Sequence, residues 1–123
     1  MNAKILLVDD APIIRLKLKN ILVKAGATIV GEANNGQEAI EKYQQLKPDL
    51  MTMDIVMPIK DGIQALEEIL TLDKGAKVIM VTAIDQRDSL MKAIRLGAVD
   101  YIVKPFEDAR VVEAVSKALG QAL

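Results

Sequence analysis

The chain has 123 residues, with 16 basic and 17 acidic side chains, 51% apolar residues, no cysteine and no histidine. That is enough chain for one domain with its own core. It excludes disulfides, thiolate or imidazole metal sites, and any Ser-His or Cys-His nucleophile. A net charge of −1 without a basic stripe, and Tyr43, Tyr101 and Phe106 as the only aromatic residues, argue against nucleic-acid binding by charge or stacking.

The amino terminus reads Met1-Asn2-Ala3-Lys4, then the apolar run Ile5 to Val8, then two aspartates. The run is too short for a signal-peptide core or a membrane span, so a cytoplasmic protein without membrane association is expected. Neither G-x-x-x-x-G-K-[ST] nor G-x-G-x-x-G occurs, which leaves no visible loop for a nucleotide phosphate.

Ile5 to Val8 is continuously apolar, the pattern of a strand covered on both faces. Ile14, Leu18, Ile21 and Leu22 follow at helical spacing, with Gly26 as the stop. Thr28 to Val30 predict a second strand. Asn35 stands three residues before Glu38, as in a capping box, ahead of Ile40, Tyr43 and Leu46 on a helix that Pro48 ends. Leu50 to Met53 predict the third strand, and Asp54 to Gly62 a loop with turn signals at Pro58 and Asp61-Gly62.

Ile63, Leu66, Ile69 and Leu70 mark a third helix, and Val78 to Val81 a fourth strand. Leu90, Ala93 and Ile94 line a helix stopped at Gly97, and Tyr101 to Val103 predict the fifth strand. The last helix carries the stripe Val111, Val115, Ala118, Leu119 and Ala122. It is expected to run to the end of the chain, with no output domain. Strict strand–helix alternation implies an α/β fold: a doubly wound parallel sheet of five strands, forming a single domain over residues 1–123.

In such sheets ligands bind beyond the carboxyl ends of the strands. Asp9-Asp10 follow the first predicted strand, Asp54 the third, Thr82-Ala83 the fourth and Lys104-Pro105 the fifth. Three carboxylates crowded on one edge call for a cation. With oxygen donors alone, magnesium is the fitting one. Lys104 supplies a point charge for a phosphoryl oxygen and Thr82 a hydroxyl donor. An aspartate can act as nucleophile and form an acyl phosphate. The plain structural alternative is an ion pair between Lys104 and one aspartate, with Thr82 capping a helix.

Four pieces in order, each at a strand end, carry a resemblance. They are Leu7-Val8-Asp9-Asp10 with Arg15 five residues on; Met53-Asp54-Ile55-Val56-Met57-Pro58 with Asp61-Gly62; Val81-Thr82-Ala83; and Tyr101-Ile102-Val103-Lys104-Pro105-Phe106. The chain resembles response-regulator receiver domains over essentially its whole length. The resemblance implies the flavodoxin-like strand order 2-1-3-4-5, with Asp54 as phosphoacceptor. It implies magnesium on Asp10, Asp54 and the backbone carbonyl of Val56, with Asp9 helping. Thr82 and Tyr101 would form the switch pair, Lys104 would sense the phosphate, and the Lys104–Pro105 bond would be cis.

The partners implied are a sensor histidine kinase or phosphotransfer protein and a phosphatase. Among receivers the chain looks most like the single-domain chemotaxis regulators found outside enteric bacteria, which adds a flagellar motor switch protein as target, read by the fourth helix, fifth strand and fifth helix. Val56 and Ile84 stand where the enteric pattern has Asn and Glu, implying slower loss of the phosphoryl group. A phosphorelay intermediate or a phosphate sink would use the same residues. A haloacid-dehalogenase-type phosphatase would need a D-x-D after the first strand, and a flavodoxin-like carrier a Ser/Thr-rich loop there. Asp9-Asp10-Ala11-Pro12 provides neither.

Overall fold

In the computed structural model, which describes residues 1–120, strands and helices alternate through the chain. The strands are β1 (Lys4–Val8), β2 (Thr28–Ala33), β3 (Leu50–Met53), β4 (Val78–Ala83) and β5 (Asp100–Lys104). The helices are α1 (Pro12–Lys24), α2 (Gly36–Leu46), α3 (Gly62–Leu72), α4 (Arg87–Leu96) and α5 (Asp108–Ala118). All strands are parallel, in the order β2-β1-β3-β4-β5, as the resemblance implied. Among the described residues no helix is long and apolar enough to cross a membrane.

The alternation of side chains along the strands divides the core in two. Leu6, Val8, Met51, Met53, Val78 and Met80 face α2, α3 and α4. Ile5, Leu7, Leu50, Ile79, Val81 and Ile102 face α1 and α5. Each fully buried aliphatic side chain contributes roughly 1.5–3 kcal/mol. Met80 is core filling, whereas Met91 is half exposed. On α5, Val111 and Val115 are buried, and Ala118 and Leu119 pack beside them. Ala122 lies outside the described residues.

Several boundaries differ from the sequence reading. β2 runs three residues further, to Ala33, because its ladder with β1 continues through Glu32 and Ala33. β4 includes Thr82 and Ala83, paired with Val103 and Lys104 of a longer β5. The Asn35 carboxamide does cap α2, accepting from the Glu38 N–H at 2.9 Å. Glu38 does not return the bond, its carboxylate lying 3.6 Å from the Lys42 ammonium. The reciprocal capping box falls at Asp61 and Gln64 instead. A 3-10 turn, Ile84–Gln86, precedes α4.

Tyr43 ties the carboxyl ends of α2 and α3 together. Its hydroxyl donates to Asp73 Oδ2 at 2.7 Å while its ring is buried. Burial, then the Asp73 bond, push the phenol above its ordinary value of 10.0. The fold therefore favours the neutral phenol. Its contribution is complete below pH 10 and lost as pH climbs through the higher folded value. Tyr43→Phe is expected to cost about 1 kcal/mol at neutral pH. It should also blunt the alkaline loss of stability in urea titrations run from pH 7 upward.

Candidate functional site

The carboxyl ends of β1, β3 and β5 deliver the chemistry. Asp9, Asp10 and Asp54 each offer a carboxylate oxygen, and these oxygens all lie within 4.8 Å of one another. Asp9 is buried at 1% exposure and Asp54 at 8%, while Asp10 is open to solvent. The Lys104 ammonium donates to Asp9 Oδ2 at 2.8 Å and to Asp54 Oδ2 at 3.1 Å. The ion-pair alternative named one aspartate for Lys104. The structure gives it two, since β5 extends through Lys104 and its ammonium reaches both Asp9 and Asp54. The remaining oxygens are held by the backbone: Ala11 N–H donates to Asp9 Oδ1 at 2.9 Å and Ile55 N–H to Asp54 Oδ1 at 2.7 Å.

Burial pushes the Asp9 carboxyl above its ordinary value, against the opposing bonds from Lys104 and the Ala11 N–H. For Lys104 burial acts downward, but the two carboxylates outweigh it and raise the ammonium above 10.5. The cluster is thus two buried acids sharing one ammonium, with a third acid at the surface. Its all-oxygen donor set fits a hard divalent cation. The carbonyl of Val56, in the loop after Asp54, accepts no hydrogen bond among the described residues.

Two glycines hold that loop. A Cβ on Gly62 would lie 2.1 Å from the Asp54 carbonyl oxygen, and one on Gly36 2.4 Å from that of Lys60. Gly62 N–H donates to Ile55 and Gly36 N–H to Lys60, both at 2.8 Å. Between them, Lys60 N–H reaches back to the Pro58 carbonyl at 2.7 Å, closing a γ-turn on Ile59. Ile59 has φ +70° and is 82% exposed, a conformation that costs a β-branched residue about 1–2 kcal/mol. Val56 and Ile84 are also exposed.

Thr82 caps no helix. It is 1% exposed and its hydroxyl has no hydrogen-bond partner among the described residues. By strand parity it falls on the same face of β4 as Met80. Tyr101 is 42% exposed, at the edge of a cavity of about 300 Å3 bounded by Ile84, Leu90, Met91 and Val103. The Lys104–Pro105 peptide is cis, as the resemblance implied. Sequence reasoning gave no part to Glu32, which pairs with Arg15 at 2.9 Å. Its only signal was an acid inside an otherwise apolar strand.

Residues 5–116 match the response regulator receiver domain. The chain belongs to the response regulator receiver family. Members of this family are signalling switches that are typically phosphorylated on an aspartate. The receiver is 51% identical to chemotaxis protein CheY of Thermotoga maritima over 95% of this chain and 98% of that one. It is 53% identical to protein CcdB of Bacillus subtilis over the same shares. A crystal structure of the CheX–CheY–BeF3–Mg2+ complex from Borrelia burgdorferi superposes with a TM-score of 0.88 at 35% identity, covering 93% of this chain and 87% of that one.

Proposed function

We propose that this receiver is a chemotaxis-type response regulator phosphorylated on Asp54. The observation that carries the reading is Asp54 itself. It is a mostly buried carboxylate at the end of the central strand, facing two further acids and an ammonium 3.1 Å away. The chain has no histidine, so a partner kinase or phosphotransfer protein supplies the phosphohistidine. An Asp54 oxygen attacks phosphorus, the phosphorus–nitrogen bond breaks, and the imidazole leaves with the electron pair.

Asp10, Asp54 and the Val56 carbonyl would hold magnesium, with Asp9 beside them. The Borrelia CheY, whose complex contains BeF3 and Mg2+, supports that choice. When bound, the cation supplies charge neutralisation for the transferring group. Lys104 leaves its two carboxylates and pairs with the new dianion. The Thr82 hydroxyl, unpartnered before, donates to a phosphoryl oxygen. Space vacated by Thr82, together with the cavity beside α4, admits the Tyr101 ring. Turning that ring inward remodels the face formed by α4, β5 and α5. Phosphate stabilises this state only through its better contacts there.

The protein acts as a switch, catalysing no turnover beyond its own phosphoryl transfer and loss. Its partners are the kinase, a phosphatase and a flagellar motor switch protein. A phosphorelay intermediate or phosphate sink would share Asp54 but not the motor target. Pull-down on the switch protein with and without a phosphoryl mimic separates the two readings.

Intact mass after incubation with a small phosphodonor tests the chemistry. One phosphoryl adduct is expected with magnesium, and none without it or on Asp54→Asn. An adduct that persists on Asp54→Asn would overturn the assignment.

A further inference from the structure

Asp10 is the exposed member of the acidic cluster, and its side chain has no hydrogen-bond partner among the described residues. Its aim is therefore set by the backbone, specifically by the peptide plane it shares with Asp9. That plane is held on one side by an arginine. Arg15, one turn into α1 with a side chain only 17% exposed, donates from one terminal nitrogen to the Asp9 carbonyl oxygen. Its Nε is anchored on Glu32 Oε1 of β2 at 2.9 Å. Lys42 of α2 bonds the Glu32 carbonyl, and the Asp9 N–H donates to Ala33 at 3.0 Å.

The Asp9 backbone is thus gripped at both ends, its N–H by Ala33 of β2 and its C=O by Arg15 of α1, which Glu32 of β2 braces. Arg15 contacts no carboxylate of the cluster, and Glu32 balances its charge. Its part is to hold a peptide plane, not to neutralise acids. A planar fork suits that task, because it spans a carbonyl and a carboxylate at once. A lysine ammonium is a single point and holds them less well.

We infer that Arg15, braced by Glu32, is a positioning residue that orients the Asp9–Asp10 peptide and so sets the affinity of the acidic cluster for a divalent cation. The inference rests on the magnesium reading of that cluster. Groups behind metal ligands typically change metal affinity 10–100-fold when removed.

Magnesium titration followed by amide NMR tests it on the native chain, Arg15→Met, Arg15→Lys and Glu32→Gln, with Asp10→Asn as control. Arg15→Met is expected to weaken magnesium about tenfold. Arg15→Lys and Glu32→Gln should fall between it and the native chain. In the metal-free protein the Asp9 amide, which donates to the Ala33 carbonyl, should exchange faster in Arg15→Met, while β3 and β4 keep their protection.

A role confined to stability would lower the melting temperature and leave both readouts of the folded protein unmoved, overturning the inference. Should Arg15→Met not fold, native affinity and exchange in both Arg15→Lys and Glu32→Gln would overturn it equally. A native chain that ignores magnesium would sink the cation reading instead. The Asp9 exchange rates would then still decide whether Arg15 holds the peptide.

Discussion

Lys104→Met is expected to abolish phosphoryl transfer and destabilise the metal-free protein by about 2 kcal/mol, while tightening its grip on magnesium. The ammonium bridges Asp9 and Asp54 at 2.8 and 3.1 Å. Removing it leaves two buried carboxylates facing each other. Breaking a buried pair costs about 3–5 kcal/mol, and the partial exposure of Lys104 lowers that figure. The same ammonium opposes a cation among those acids. Two unit charges 5 Å apart at an effective dielectric of 20 repel by about 3 kcal/mol. A lysine can swing aside and relieve part of that, so a gain in magnesium affinity of roughly tenfold is expected.

The pH dependence carries a sign. Asp9 already sits above its ordinary value of 3.8, chiefly by burial. Its folded state binds a proton more tightly than its unfolded state, so stability is gained as pH falls through the folded pKa. Without Lys104 that gain should be larger and begin at higher pH. Urea melts across the acid range, with and without magnesium, read both effects. Unchanged stability and unchanged affinity would make the two contacts incidental.

The convergence of Asp9, Asp10, Asp54 and Lys104 was legible because residue identity at strand ends carries it. Asp9, Asp10, Asp54 and Lys104 each follow or end an apolar run, and parallel strands bring their carboxyl ends together whatever fills the loops. Strand order was not legible from periodicity, which is blind to neighbours. It came with the resemblance. Boundaries failed where polar residues occupy ladder positions. Glu32 and Thr82 read as non-strand, yet both continue a ladder begun by apolar neighbours. The Asn35 cap was legible from spacing alone, but the return bond from Glu38 was not, because Lys42 competes for that carboxylate from the next turn. Arg15 was visible only as part of a pattern. Its bond to a carbonyl distant in no chemical property from any other depends on β2 lying beside β1.

Thr82→Val should make the resting protein more stable and leave it unable to switch. The Thr82 hydroxyl is buried with no hydrogen-bond partner among the described residues. Burying such a group unpaired costs about 1–3 kcal/mol, and an apolar side chain of the same shape avoids that cost. A gain of about 1 kcal/mol in urea titrations is therefore expected. On the proposed mechanism the phosphorylated state would pair that hydroxyl and so offset the cost. Asp54 should still accept a phosphoryl group in Thr82→Val, but the Tyr101 ring signals should stay in their resting positions by NMR. Thr82→Ser keeps the hydroxyl and should restore the response. A destabilised Thr82→Val, or one whose Tyr101 still turns on phosphorylation, would show that the hydroxyl is not what couples Asp54 to the α4–β5–α5 face. The direction of the stability change separates the two cases, because a hydroxyl that mattered only to packing would be missed in the resting protein first.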